Sequence, residues 1–239
     1  MRISPESSGA TVVFVGKLNP PIFQPEWFAR EGLLAASEAA AAEVRMISDD
    51  LTSFSVDWMN LHVQRDRLMI DTAQAPFVRL RDLLVRTFRE FLIHTPIYMV
   101  GINRQVHFRA GSFEIRDKVG LRLAPQDVWG QWATAIHGRS EDDYKKRGGM
   151  NSLTMMQSDR EDGREGNINA TVQPSVLFPP DGIYMQINDH VVLGNASNVF
   201  GANGAVDLLE ADWESSNTKA EMIIDQIMGL VEEVKRSGS

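Results

Sequence analysis

Residues 97–108 read IYMVGINRQVHF, and this stretch decides the fold class. Successive side chains of a β-strand point to opposite faces, so a strand is recognised by alternation with a period of two. The alternation predicts one long strand. One face carries Tyr98, Val100, Ile102, Arg104, Val106 and Phe108, and the other carries Met99, Gly101, Asn103, Gln105 and His107.

The segments before this strand predict alternating strands and helices. Residues 11–18 form an apolar run that ends at Asn19-Pro20-Pro21, which is typical of a strand closed by a turn. A helix is predicted from Pro25 to about residue 44, a β-hairpin over residues 54–73, and a second helix from Pro76 that stops at Pro96. The order strand, helix, hairpin, helix, strand resembles a ferredoxin-like unit. We therefore expect an α+β fold, with an antiparallel sheet and helices packed on one face.

The second half of the chain predicts more strand than helix. Its segments are a strand at residues 112–123, a short helix at 125–136, an exposed loop at 138–149, strands at 151–158, 167–178, 183–193 and 206–213, and a final helix from about Thr218. We expect a division near residue 110 into a first half, residues 1–110, and a second half, residues 111–239. The alternatives of two ferredoxin-like halves and one continuous domain both fit the pattern.

Three short motifs resemble a sporadically distributed, uncharacterised prokaryotic family. They are Phe54-Ser55-Val56-Asp57-Trp58, Arg67-Leu68-Met69-Ile70-Asp71-Thr72, and a strand core of the pattern hydrophobic-Gly-hydrophobic-Arg or Asn, which is either Val100-Gly101-Ile102-Asn103 or Val119-Gly120-Leu121-Arg122. The resemblance covers about half of the chain. It implies a prokaryotic source and transfers no catalytic residue.

Composition excludes several classes of function. The chain has no cysteine, so disulfides, thiol nucleophiles and thiolate metal sites are absent, and a cytoplasmic location is expected. The first ten residues are polar, unlike a signal peptide, and no apolar run approaches the ~20 residues that span a bilayer. The net charge of −8 makes nucleic acid an improbable partner. Phosphate-binding glycine motifs and paired histidines at helical spacing are also missing, so we expect neither cofactor nor metal.

No catalytic constellation stands out, so the first functional hypothesis is a protein-interaction or structural subunit of a prokaryotic cytoplasmic assembly. Such a subunit would contact a protein partner, or self-associate through exposed strands or the last helix. A hydrolase is the alternative, with a site assembled from second-half residues His137, Asp142, Asp143, Asp189 and His190. A second alternative is a nucleic-acid-binding accessory protein, which would use Arg79, Arg86, Arg89 and Arg104.

Overall fold

One antiparallel sheet of nine strands runs through the molecule. The computed structural model describes residues 4–136 and 148–237. The strands follow the spatial order β2-β3-β4-β5-β1-β6-β9-β8-β7. Their bounds are β1 (Ser7–Gly16), β2 (Glu43–Ile47), β3 (Leu51–Val56), β4 (Met59–Gln64), β5 (Arg67–Thr72), β6 (Ile97–Arg109), β7 (Leu153–Gln157), β8 (Gly166–Pro174) and β9 (Gly182–Val192).

Helices cover one face of this sheet. Those in the described residues are α1 (Pro25–Arg30), α2 (Ala36–Ala40), α3 (Val78–Arg86), α4 (Phe113–Leu123), α5 (Gln131–Ile136) and α6 (Asn203–Ser237). Helix α3 contacts β1 and β5, and the long helix α6 contacts β6 and β9. The predicted α+β fold, an antiparallel sheet with helices on it, is confirmed.

The element order repeats once along the chain. The first unit is β1, the short helices α1 and α2, the meander β2 to β5, and α3. The second unit is β6, the helices α4 and α5, the meander β7 to β9, and α6. Strands β1 and β6 pair at the centre, so the two meanders extend outward in opposite directions. Each meander has more strands than the ferredoxin-like order supplies. Because one sheet crosses both units, whether they are separate domains stays a prediction.

Two apolar cores lie under the helices. The first contains Val12, Phe14, Phe54, Phe88, Leu209 and Trp213, and the second contains Val106, Phe108, Met185, Ile187, Ile224 and Met228. A charged pair lies between them: Arg104 of β6 donates to Glu221 of α6 at 2.5 Å and to the carbonyl of Gly9 at 2.6 Å. Helix α6 supplies residues to both cores and therefore joins them.

Helix α4 occupies Phe113–Leu123, so the strand predicted at residues 112–123 is wrong. The hydroxyl of Ser112 accepts a hydrogen bond from the Ile115 amide, which caps the helix. Ile115, Val119 and Leu123 pack on the second core at four-residue spacing. The buried residues of this segment therefore follow the spacing of a helix, and not the two-residue alternation of a strand.

Residues 206–213 belong to helix α6, so the second-half prediction of a strand there and a helix start near Thr218 is also wrong. The helix begins at Asn203, and its buried positions Leu209, Trp213 and Ser216 follow helical spacing. Asp207 and Asp212 would be costly in a central strand. On the helix they pair with Arg89 and Arg164.

The first half contains more strand than predicted. The helix expected from Pro25 to residue 44 ends early, because Gly32 takes a positive φ of 66°. The residues beyond it form α2 and then β2. The predicted hairpin over residues 54–73 is instead part of a meander, in which a tight turn at Asp57-Trp58 separates β3 from β4.

Candidate functional site

The face of the sheet opposite the helices forms a shallow groove. It encloses about 480 Å³ between the central strands. Alternation places Phe14 of β1 in the core and its neighbours Val13 and Val15 in the groove. The remaining lining side chains are mostly polar and uncharged, with one arginine and one aspartate: Thr11, Arg67, Met69, Asp71, Met99, Asn103, Gln105, Gln186, Asn188 and His190. Charges of opposite sign balance, so the groove is neutral at pH 7.

Small polar residues form a continuous row across six strands of the uncovered face, four of which line the groove. Strand register aligns Asn60, Asp71, Thr11, Asn103, Asn188 and Asn169 side by side. Hydrogen bonds link several of them: the Asn60 amide donates to Asp71 at 2.9 Å, and the Asn188 amide donates to Asn103 at 2.5 Å. The row presents amide groups, which both donate and accept hydrogen bonds.

Gly101 lies beside this row, at the centre of the groove. A Cβ atom built on Gly101 would lie 3.5 Å or more from its nearest neighbours, so a methyl group would fit there in ordinary van der Waals contact. Gly9 differs, because a Cβ would lie 2.8 Å from the carbonyl oxygen of Thr72. Packing therefore requires glycine at position 9 and does not require it at position 101. The missing side chain leaves a hollow between Val13 and His190, its partners in register on the adjacent strands.

Burial changes the titration of three groups on the uncovered face. The pKa of His190 is lowered, first by burial and then by the Arg160 guanidinium. Burial also lowers the pKa of His107, whose Nδ1 lies 2.8 Å from the Ser175 hydroxyl, and raises the pKa of Tyr184. Each shift favours the uncharged form, so all three side chains are neutral at pH 7.

The structure separates the two hydrolase candidates that it describes. Asp189 lies on the helix-covered face, where it forms a salt bridge with the buried Arg160. His190 lies on the opposite face, in the groove. His137, Asp142 and Asp143 lie outside the described residues. Asp189 and His190 therefore do not share a site.

The four arginines of the nucleic-acid alternative lie among carboxylates. Arg104 is buried against Glu221, and Arg89 pairs with Asp207 and Glu210. Arg79 lies 3.6 Å from a carboxylate oxygen of Glu38, and Arg86 lies 3.5 Å from one of Glu90. These carboxylates offset the positive charge that phosphate binding needs.

The described residues hold neither a cluster suited to a metal ion nor a membrane-spanning helix. In these, no three His, Asp or Glu side chains come close enough together to hold a metal ion. Among residues 4–136 and 148–237, no helix combines the length and apolar character that crossing a bilayer requires.

Sequence reasoning missed the groove. The signal was the row of Met99, Gly101, Asn103 and Gln105 on one side of β6. What the sequence did not supply was the register that places Asn188 and Asn169 beside them. No protein-family model matches the chain, and no curated protein matches it. Its resemblance to the sporadically distributed prokaryotic family stays a prediction.

Proposed function

We propose that the protein is an interaction or structural subunit that receives a segment of another polypeptide on the uncovered face of its sheet. The observation that carries the proposal is the hollow at Gly101. A glycine inside a strand weakens the strand, and it often marks a place where another backbone or a ligand approaches closely. No steric requirement explains this glycine, because a Cβ atom fits there. The hollow is suited to a partner's apolar side chain, which would contact Val13.

The polar row supports a polypeptide as the partner. Side-chain amides match the backbone N–H and C=O groups of an extended segment, each of which needs a hydrogen-bond partner when it is buried. Asn188 borders the hollow and is only half-buried, so its side-chain amide can meet the backbone that flanks an inserted side chain. Asn103, which also borders the hollow, is buried and already bonded to the Thr11 carbonyl and to Asn188, and it holds Asn188 in place. A nucleic acid would instead require clustered positive charge, and the groove has one arginine and one aspartate.

The location and source in the proposal come from the sequence. A chain of 239 residues without cysteine does not depend on the disulfides typical of small secreted proteins, which supports a cytoplasmic assembly. The resemblance at residues 54–58 and 67–72 supports a prokaryotic source. Self-association belongs to the same proposal.

The test fills the hollow without disturbing the core. Gly101→Leu places a side chain in the groove, and the matched control Gly229→Leu places one on helix α6, where no atom lies within 4 Å of the added Cβ. Immobilised wild-type protein and both variants would be exposed to a lysate of the source cells, and the captured proteins would be compared by mass spectrometry. We expect one partner to bind the wild type and the control and to be lost from Gly101→Leu.

Two outcomes would contradict the proposal. In one, the same partner binds all three proteins equally, which would place the contact away from the hollow. In the other, fluorescence anisotropy detects salt-sensitive binding of single- or double-stranded oligonucleotides that Gly101→Leu abolishes. Circular dichroism of both variants would check that the fold is retained.

A further inference from the structure

The two outer strands of the sheet differ in how they are protected against pairing with another chain. Natural sheets guard their edges with charges, proline or bulges. Strand β2 carries Glu43 and Arg45, and its register shifts between Val44 and Met46. Strand β7 reads Leu-Thr-Met-Met-Gln, without charge or proline, and it pairs with β8 in unbroken register. Among the described residues, nothing pairs with the outer side of β7.

We infer that β7 pairs with β7 of a second copy of this chain, in an antiparallel two-fold dimer centred on Met155. In this register Leu153 lies opposite Gln157, Thr154 lies opposite Met156, and Met155 lies opposite its own copy. A two-fold contact requires a surface that is complementary to itself, and a strand paired antiparallel about its middle residue meets that requirement. The two sheets would become one sheet of 18 strands.

Charge favours a second copy as the occupant. Two chains of net charge −8 repel each other, and a contact through uncharged strands adds nothing to that repulsion. Neither β7 nor its neighbour β8 contains a charged residue. This side of the sheet is therefore one where two copies can approach without placing like charges directly opposite each other.

Exposed methionines supply the apolar contacts. Met155 is 66 % exposed and Met156 is 62 % exposed, and the two lie on opposite faces of the sheet. In the dimer each face gains methionine contacts across the new strand pair, and methionine adapts well to such surfaces. The contact between two five-residue strands is small, so we expect an equilibrium dimer that dissociates on dilution.

Single cysteines test the register directly, because the chain has none of its own. Residues directly opposite in an antiparallel pair have Cβ atoms about 4.5–5.5 Å apart, within reach of a disulfide after small adjustment. We expect Met155→Cys to cross-link with itself under mild oxidation about tenfold faster than the controls, because pairing holds the two thiols together. The controls are Met46→Cys on β2 and Met222→Cys on α6, two other exposed methionines.

Mixing two cysteine variants tests the proposed strand register more closely. Thr154→Cys and Met156→Cys should each cross-link slowly alone and rapidly when mixed, since these positions face each other between copies. Light scattering coupled to size-exclusion chromatography should show a concentration-dependent dimer for the wild type and for Met46→Lys, and a monomer for Met156→Lys.

The inference is overturned if Met155→Cys cross-links no faster than Met222→Cys, or if the wild type stays monomeric up to millimolar concentration. The groove at Gly101 lies three strands away from β7 in the sheet. The partner-capture experiment with Gly101→Leu and the cross-linking experiment at β7 therefore have independent outcomes, and failure of one proposal can be told from failure of the other.

Discussion

Polar side chains differ between the helix-covered face of the sheet and the uncovered face. On the covered face, charges are buried and paired: Arg104 with Glu221, and Arg160 with Asp189. On the uncovered face, neutral amides predominate and Gly101 leaves space unfilled. The covered face thus holds the fold together, while the uncovered face retains groups that suit contact with another molecule. Neighbouring residues on one strand can test this difference, because they belong to opposite faces.

The largest expected contrast is between Phe14 and Val13 on β1. Phe14 is fully buried, and its ring centre lies 5.2 Å from that of Phe88, so Phe14→Ala should lower the free energy of unfolding by about 3–5 kcal/mol. Val13→Ala should cost about 1 kcal/mol or less, because Val13 lies in the open groove. Urea denaturation of both variants measures the difference. If both variants lost the same free energy of unfolding, the two faces would contribute equally to stability.

Replacing each of two glycines by alanine should change the free energy of unfolding in opposite directions. Gly9→Ala should destabilise the protein by about 1–3 kcal/mol, because its Cβ would press on the Thr72 carbonyl oxygen. Gly101→Ala should stabilise it by about 0.5–1 kcal/mol, because the unfolded chain loses freedom while the folded state has room for the methyl group. Thermal unfolding compares them. A destabilised Gly101→Ala variant would show that packing requires this glycine and would remove the main support for the groove.

The smallest expected effect is an acid sensitivity on the covered side. A hydrogen bond from Arg160 lowers the pKa of Asp162 from 3.8 to about 2. Since the folded-state pKa is depressed, the stabilisation is complete above about pH 5 and is lost as the pH falls towards 2. Asp162 is partly exposed, so solvent screening limits the contribution to less than about 1 kcal/mol.

Asp162→Asn checks this dependence, because asparagine keeps the shape of the side chain and does not titrate in this range. The difference in free energy of unfolding between wild type and variant should shrink between about pH 5 and pH 2. A difference that stays constant over this range would show that the charge of Asp162 adds nothing to the stability of the contact with Arg160.

Strong alternation made part of the fold predictable from the sequence. Strand β6 was predicted at residues 97–108 and is found at Ile97–Arg109, because residues 99–108 point alternately to the uncovered face and to the core. Helix α4 was missed because its apolar residues also fit a strand pattern, and only the contact with α6 shows which of its positions are buried. The apolar residues of a short segment can fit both the two-residue period of a strand and the 3.6-residue period of a helix. Tertiary contacts then decide which structure forms.

The candidate site was less predictable than the fold. His190 was singled out for its neighbour Asp189, yet the two point to opposite faces. The groove instead depends on strands that are distant in the sequence, since β9 brings Asn188 beside Asn103, 85 residues earlier. Register between such strands is set by the whole sheet, so a single strand pattern does not predict it.

Helix α6 has a consequence for the order in which the protein can be completed during synthesis. Its first turns, with Leu209 and Trp213, belong to the same core as Val12 and Phe14. The first unit therefore leaves the ribosome with part of its apolar surface uncovered, and this surface stays open until residues near 213 have been made. Nascent chains with such surfaces depend on chaperones or on rapid elongation to avoid aggregation. The two units repeat in structure, but their assembly is sequentially dependent, because the first waits for the last helix of the second.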